Sequence, residues 1–332
     1  MSVVEDPVLT VARLLRQYTN QVVLKDSGSF AKIPVTTQIF DREFLRENDA
    51  QITVTLEQSI DQKLELAGRL RRRNVLIKST IWTTDKAAPD ADPGQVLRDK
   101  IIVKINTIIR ERRNLPNEAP YNFLGLGYPE GDPHKALQGG ASTELVPGGA
   151  GWTELTSTEY EKIWRSDDNR YSKSHDVNNE YALMLFRYKI DAREDVVKQI
   201  VLSFEGYGTA PAGNGITIKI WNPFSAAWEE AQTGSGSGDE IITITVSEDC
   251  DNFVDANGYV WLLARTTNPS NGVTPAVLYC DFAELTIQVN GLAFCDVVGY
   301  RHAPINSDVK PYLFQTEFTL KGWLFESISG VF

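Results

Sequence analysis

The sequence predicts an α+β chain in two parts: a small two-helix α+β domain, and an antiparallel β-sandwich of the jelly-roll kind inserted into it. Three observations predict this. Helical periodicity governs the first third, then gives way to period-two alternation between Tyr181 and Val289. Net charge breaks at the same places: residues 1–117 carry +4, residues 118–289 carry −14 and residues 290–332 carry −1, within a chain total of −11. The closing 43 residues are too few to bury a core alone, so they complete the N-terminal part. The expected domains are 1–117 with 290–332, a Gly/Pro-rich linker or extended loop at 118–151, and the sandwich at 152–289.

Each element follows from local pattern. Asp6 can cap a helix that starts at Pro7, and Val8, Val11, Leu14, Leu15 and Tyr18 share one face of it. Residues 22–24 and 33–35 are short extended pieces around a Ser-Gly-Ser turn at 27–29. Gln51 to Glu57 alternates, with Ile52, Val54 and Leu56 on one side, and Arg71 to Thr83 reads as a longer strand. A second helix spans Pro93 to Arg113, with Asp92 as N-cap, Gln95 closing a capping box, and Leu97, Ile101, Ile105, Ile108 and Ile109 as its apolar stripe. Glycine and proline crowd residues 117–151, which predicts an extended loop. Strands are then expected at 181–190, 197–206, 215–221, 240–247, 258–266 and 277–289, separated by Pro/Gly/Asn turns. Such alternation buries one face of each strand, as paired antiparallel sheets require. Phe294–His302 and Pro311–Phe325 are two long closing strands.

Composition excludes several functions. No apolar run approaches the roughly 20 residues that span a bilayer. The opening Met-Ser-Val-Val-Glu-Asp lacks the basic start and apolar core of a secretory signal, so synthesis in a cytoplasm is expected. Three cysteines, Cys250, Cys280 and Cys295, make no disulfide framework and no CxxC zinc pair. An acidic middle segment is a poor nucleic-acid binder. His134, His175 and His302 are far apart, without zinc-hydrolase spacing, and read as surface or loop histidines. No nucleophile elbow, P-loop or dinucleotide motif is present. The chain is expected to be no enzyme, with no cofactor and no metal.

Four features are weighed as sites. Asp249, Asp251, Asp255 and Asn257 could bind Ca²⁺, but they miss EF-hand spacing and read as a solvated acidic turn. Glu229 and Glu230 are adjacent, so on a strand they point to opposite faces and make a poor catalytic dyad. Trp261 stands on the opposite parity from Val260 and Leu262 and is the candidate ligand contact of the sandwich. Arg69, Arg71, Arg72 and Arg73 form the densest basic run, a candidate oligomer interface or channel wall because the planar guanidinium makes several directed bonds.

Two resemblances arise from these residues. Gly215–Asn222, Trp228-Glu229, Val254–Trp261 and Leu278–Asp281 resemble a β-sandwich module that recurs in surface and virion proteins of archaea and bacteria. The outer pieces are similar to tail-terminator (tail-completion, neck) proteins of long-tailed viruses. The carriers are the helix 7–18, the segment Ile39–Leu45, the strand 71–83, the helix 93–113 and the strand Phe314–Trp323. This resemblance implies a virion structural protein made in the host cytoplasm. It would form a ring, a hexamer in that family, that caps the tail tube below the head. Its implied partners are other copies of itself, tail-tube and head–tail connector proteins, and viral DNA passing through the lumen, with no membrane. The sandwich would decorate the outside. The alternative expectation is a carbohydrate-binding surface or adhesion protein.

Overall fold

A computed structural model describes residues 3–24, 29–64, 70–86, 92–124, 133–305 and 310–327. In chain order the first elements are α1 (Pro7–Thr19), β1 (Val35–Thr36), the single-turn α2 (Phe44–Glu47), β2 (Ala50–Lys63), β3 (Leu70–Thr84) and α3 (Gly94–Glu111). Next come β4 (Glu118–Tyr121), β5 (Lys135–Ala141), β6 (Thr153–Glu154), α4 (Ser157–Tyr160), β7 (Tyr171–His175), β8 (Tyr181–Lys189) and β9 (Val197–Thr209). Then follow β10 (Ile216–Asn222), β11 (Ala227–Gly234), β12 (Glu240–Val246), β13 (Tyr259–Thr266) and β14 (Ala276–Val289), and the chain closes with β15 (Phe294–His302) and β16 (Leu313–Ser327). The chain is β-rich, and its internal contacts gather it into two compact units, 1–119 with 289–332 and 120–124 with 133–288.

The first unit is one sheet with helices on one face. Strand order is β1-β2-β3-β16-β15, with only the β1–β2 pair parallel. β3 and β16 pair over fifteen residues from Leu70–Ser327 to Thr84–Leu313. Apolar residues of one parity (Ile52, Val54, Val75, Ile77, Ile81, Phe318, Leu320) are buried with Val11, Leu14 and Leu15 of α1 and Leu97, Ile101, Ile105 and Ile109 of α3. Asp6 caps α1 as expected, its Oδ1 accepting from the Val8 N–H at 2.8 Å. The expected capping box of α3 does not form. Pro93 takes the cap position with no side-chain cap bond, because Asp92 is turned to Lys100 at 2.7 Å and the Gly94 N–H donates to Asp85 instead.

The second unit is a pair of packed sheets, β11-β10-β13-β8-β5-β6 and β12-β9-β14-β4, with β7 also pairing β14. Inner-face residues such as Phe186, Phe204, Ile218, Ile244, Leu262 and Leu285 are fully buried or nearly so, and Phe186 meets Phe204 at 5.9 Å between ring centroids. The reading of 118–151 as a linker is corrected. β5 pairs with β8 along seven residues, Lys135–Arg187 to Ala141–Tyr181. Its glycines, taken as loop signals, are strand positions crowded by large neighbours. A Cβ on Gly140 would sit 2.3 Å from the His175 ring, and one on Gly139 would sit 3.0 Å from Trp152. Residues 144–146 lie over the outer face of the sheet. Glu144 takes Lys219 and Arg265 at 2.8 and 2.9 Å, while Leu145 and Val146 carbonyls accept from Trp228 and Trp152. Leu183, Leu185 and Leu263, on the outer parity of their strands, are therefore fully buried.

His134 is a second correction. It is buried rather than exposed, its Nδ1 accepting from the Lys189 N–H at 2.9 Å, with the rings of Tyr121, Phe123 and Tyr188 within 6.4 Å. Burial pushes its pKa down to about 3, the nearby Asp191 opposing the drop and Arg187 adding to it. The folded value lies below the unfolded one, so the unfolded chain binds the extra proton and stability falls as pH drops below about 6.5. The unfolding free energy of this unit should therefore fall by about 2 kcal/mol between pH 6.5 and about pH 5 from this group. In His134→Gln, denaturant titrations at the two pH values should lose most of that difference.

Candidate functional site

The sheet of the first unit outruns its helices. Ala50 to Val54 of β2 are buried, but Thr55 to Lys63 are exposed along their whole length. β1 pairs only with Ile52 and Thr53, so among the described residues no strand lies beside this stretch on its outer edge. A regular edge with exposed side chains on both faces is a template for pairing with another chain.

Strand register sorts the overhang into two unlike faces. On the helix-side face, Asp61 stands opposite Arg73, and Lys63 and Glu326 stand opposite Arg71. Arg73 reaches Glu326 at 2.9 Å and Asp61 at 3.3 Å, and Arg71 lies 3.9 Å from Asp61. These cations are answered within the subunit. At about one-third exposure such pairs contribute only a few tenths of a kcal/mol to stability.

The other face is aromatic and apolar. One row across four strands reads Ile60, Asn74, Trp323, Phe294, and the next reads Gln62, Arg72, Phe325. Trp323 stacks on Phe294 at 3.9 Å, and the Arg72 guanidinium lies 4.2 Å over the Trp323 ring. Ile60, Leu70 and Phe325 are left 53%, 41% and 49% exposed. Further along the same face, Glu317 binds Lys78 at 2.6 Å and Arg301 at 2.7 Å, and these partners hold its carboxyl below the usual carboxylate range. An apolar centre with aromatic rings and an arginine, beside a charged border, is the composition of a protein–protein contact.

The basic run is thus split by strand parity. Arg71 and Arg73 point to the ionic face and Arg72 to the aromatic one, while Arg69 lies outside the described residues. Ile60, Leu70 and Phe325 were not singled out from sequence. They are isolated apolar letters in polar strands, and only the register gathers them.

On the second unit, Trp261 faces outward opposite Arg187 and is half-buried. Its Nε1 donates to Asp255 Oδ2 at 3.1 Å, and Tyr259 meets it edge-on at 5.9 Å. Arg187 lies 4.4 Å over Tyr259 and 5.8 Å over Trp261. In the acidic turn at 249–257, one carboxylate is engaged locally. Asp255 is spent on the N–H groups of Asn257 and Tyr259 and on Trp261, and Asp249 begins a 3-10 turn in a left-handed conformation. His175 binds Glu180 at 2.6 Å and His302 binds Thr316 at 2.8 Å, so the histidines stand apart from one another. All three cysteines are buried and free, and burial pushes their thiols above the ordinary value. Among the described residues, no helix is long and apolar enough to cross a membrane.

A family described as "Uncharacterized protein, C-terminal domain" matches residues 138–289, slightly less than half of the chain. No curated protein matches the sequence. Similar solved structures include a xylan-binding module, CBM15, at 11% identity, covering 47% of this chain and 91% of that one, with a TM-score of 0.27. The enzymatically active domain of bacteriophage CBA120 tailspike protein 4 is 8% identical, over 53% of this chain and 20% of that one, at a TM-score of 0.23. A family 11 carbohydrate-binding module from Clostridium thermocellum, in complex with a mixed-linked tetrasaccharide, is 10% identical over 52% and 89%, at 0.21. Likenesses at these TM-scores carry no argument about ligand or role.

Proposed function

We propose that the chain is a self-assembling structural protein of a virion, a ring-forming tail-terminator or neck component. The observation that carries this reading is the overhang of β2, β3 and β16, whose apolar face is exposed around Ile60, Leu70 and Phe325. Monomers rarely leave such a patch uncovered beside an unpaired strand edge. The proposed occupant is a second copy of the chain, in a head-to-tail contact whose rotation closes into a ring. The order of helix, long hairpin, helix and closing strand supports the tail-terminator resemblance. A two-helix terminator domain with a jelly-roll insertion is the finer form of that reading. The acidic sandwich would face outward as decoration. The tail tube and a head-side connector would be the axial partners, and DNA would pass through the lumen. The ionic face of Arg71 and Arg73 is nearly neutral within each subunit, so it makes a weak DNA contact.

The test is the oligomeric state of the purified chain, by light scattering and negative-stain microscopy. A discrete ring, six-fold on the resemblance, is the expected result. A monomer at every concentration would remove the reading. In that event the second reading, a glycan-binding surface protein, is tested by array binding that Trp261→Ala abolishes. The outward, half-buried position of Trp261 favours it, although the ring is already engaged by Asp255 and Tyr259.

A further inference from the structure

We infer that the second unit binds a hard divalent cation of the calcium class between Asp168, Asp239 and Asp281. One carboxylate oxygen from each of these residues lies within 4.8 Å of the others. They come from three places in the chain: the segment before β7, the residue before β12, and β14 itself. Asp281 sits where burial along β14 changes parity, at Cys280–Asp281, and its carboxylate is 1% exposed.

The hydrogen bonds leave one oxygen of each group over. Asp281 Oδ2 accepts from the N–H groups of Asp167 and Asp168 at 3.1 and 3.2 Å. Arg170 donates to Asp239 Oδ2 at 2.5 Å and to Asp168 Oδ1 at 2.7 Å. Among the described residues, no protein group donates to the buried Asp281 Oδ1 and Asp239 Oδ1. Buried polar atoms are nearly always bonded to protein, to ordered water or to an ion, so a carboxylate oxygen with no protein donor calls for one of the last two.

Charge gives the valence. Three carboxylates against one guanidinium leave −2 in a partly dry pocket. A divalent cation would cancel that excess and take one oxygen from each carboxylate. All-oxygen donors of irregular placement suit Ca²⁺, which accepts variable geometry and completes its shell with water. Bound there, it would fasten the 165–170 segment and the turn before β12 to the outer face of β14.

The experiment uses the full-length chain, stripped with EDTA and titrated with CaCl2. Isothermal calorimetry should give saturable binding of one ion per chain, in the roughly 10⁻⁶ to 10⁻³ M range of extracellular and sensor-type oxygen sites. The melting temperature should rise with the logarithm of CaCl2 concentration beyond saturation. Asp168→Asn is the safe variant, because that side chain is 83% exposed and its loss should not unfold the chain. It should weaken binding tenfold or more with the calcium-free melting temperature unchanged, and Asp239→Asn should do the same if it folds. Absence of saturable heat would overturn the inference. So would a melting shift matched by NaCl at equal ionic strength, or Asp168→Asn binding like the parent. If mild acid raises the melting temperature while CaCl2 does not, the two spare oxygens share a proton and the cation is ruled out.

Discussion

If the chain assembles as proposed, replacing Ile60 and Phe325 by aspartate should convert the oligomer to monomers without unfolding the subunit. Both side chains are about half exposed in the subunit, so their replacement removes little of the subunit's own core. In an assembled ring they would be central and dry, with Trp323, Phe294 and Arg72 beside them. Central aromatic and apolar anchors cost about 2 kcal/mol or more when removed, roughly thirty-fold in dissociation constant for each site. A buried, unpaired carboxylate adds to that. Light scattering should show the monomer mass, and circular dichroism and the denaturation midpoint should stay near those of the parent. The paired control is Arg71→Ala with Arg73→Ala. These guanidinium groups are satisfied by Asp61 and Glu326 inside the subunit, so oligomer size should barely change. Arg72→Ala should have an effect between the two. If the arginine pair dissolves the oligomer and the apolar pair does not, the ionic face is the interface instead.

The second large effect lies in the first unit, far from any surface. Glu5 and Arg13 form a buried ion pair with side-chain exposures of 3% and 2%. Arg13 engages both carboxylate oxygens of Glu5, and the Thr10 hydroxyl donates to the same carboxylate at 2.8 Å. The Glu5 N–H also donates to the Asn290 carbonyl, so this cluster ties the start of α1 to the segment that leads into β15. Removing one partner strands the other charge in the core. Glu5→Ala or Arg13→Ala should each cost about 3–5 kcal/mol in denaturant unfolding. Glu5→Leu with Arg13→Met should recover much of that loss, because a well-packed apolar pair avoids desolvating two charges. If the single and double replacements destabilise equally, the loss lies in packing and the ion pair itself is neutral.

Several elements are legible because their signals are local. The stripes of α1 and α3, the apolar run of β8 and the alternation of β9, β10, β12, β13 and β14 lie within ten residues or so, and the structure places those elements within a few residues of expectation. β5 and β11 are not legible in the same way. β5 carries Gly139 and Gly140, whose missing side chains make room for Trp152 and His175. β11 is an edge strand, Ala227–Gly234, mostly exposed and with no buried parity to betray it. The N-cap of α3 failed for a related reason. Asp92 is a good cap by type, but Lys100, about two turns along the helix, holds it.

What the sequence by itself determined is therefore the two principal helices, the period-two strands of the sandwich and the uneven charge. Each depends on residues within a few positions of one another. Tertiary structure decided the rest. It folded the Gly/Pro-rich stretch into the sandwich, and it buried His134 among Tyr121, Phe123 and Tyr188. It split the arginine run between two faces, and it brought Asp168, Asp239 and Asp281 within 4.8 Å of one another. Strand parity shows only that a side chain points to one of two faces. Which distant strand lies beside it, and in what register, depends on long-range pairing that no local pattern encodes.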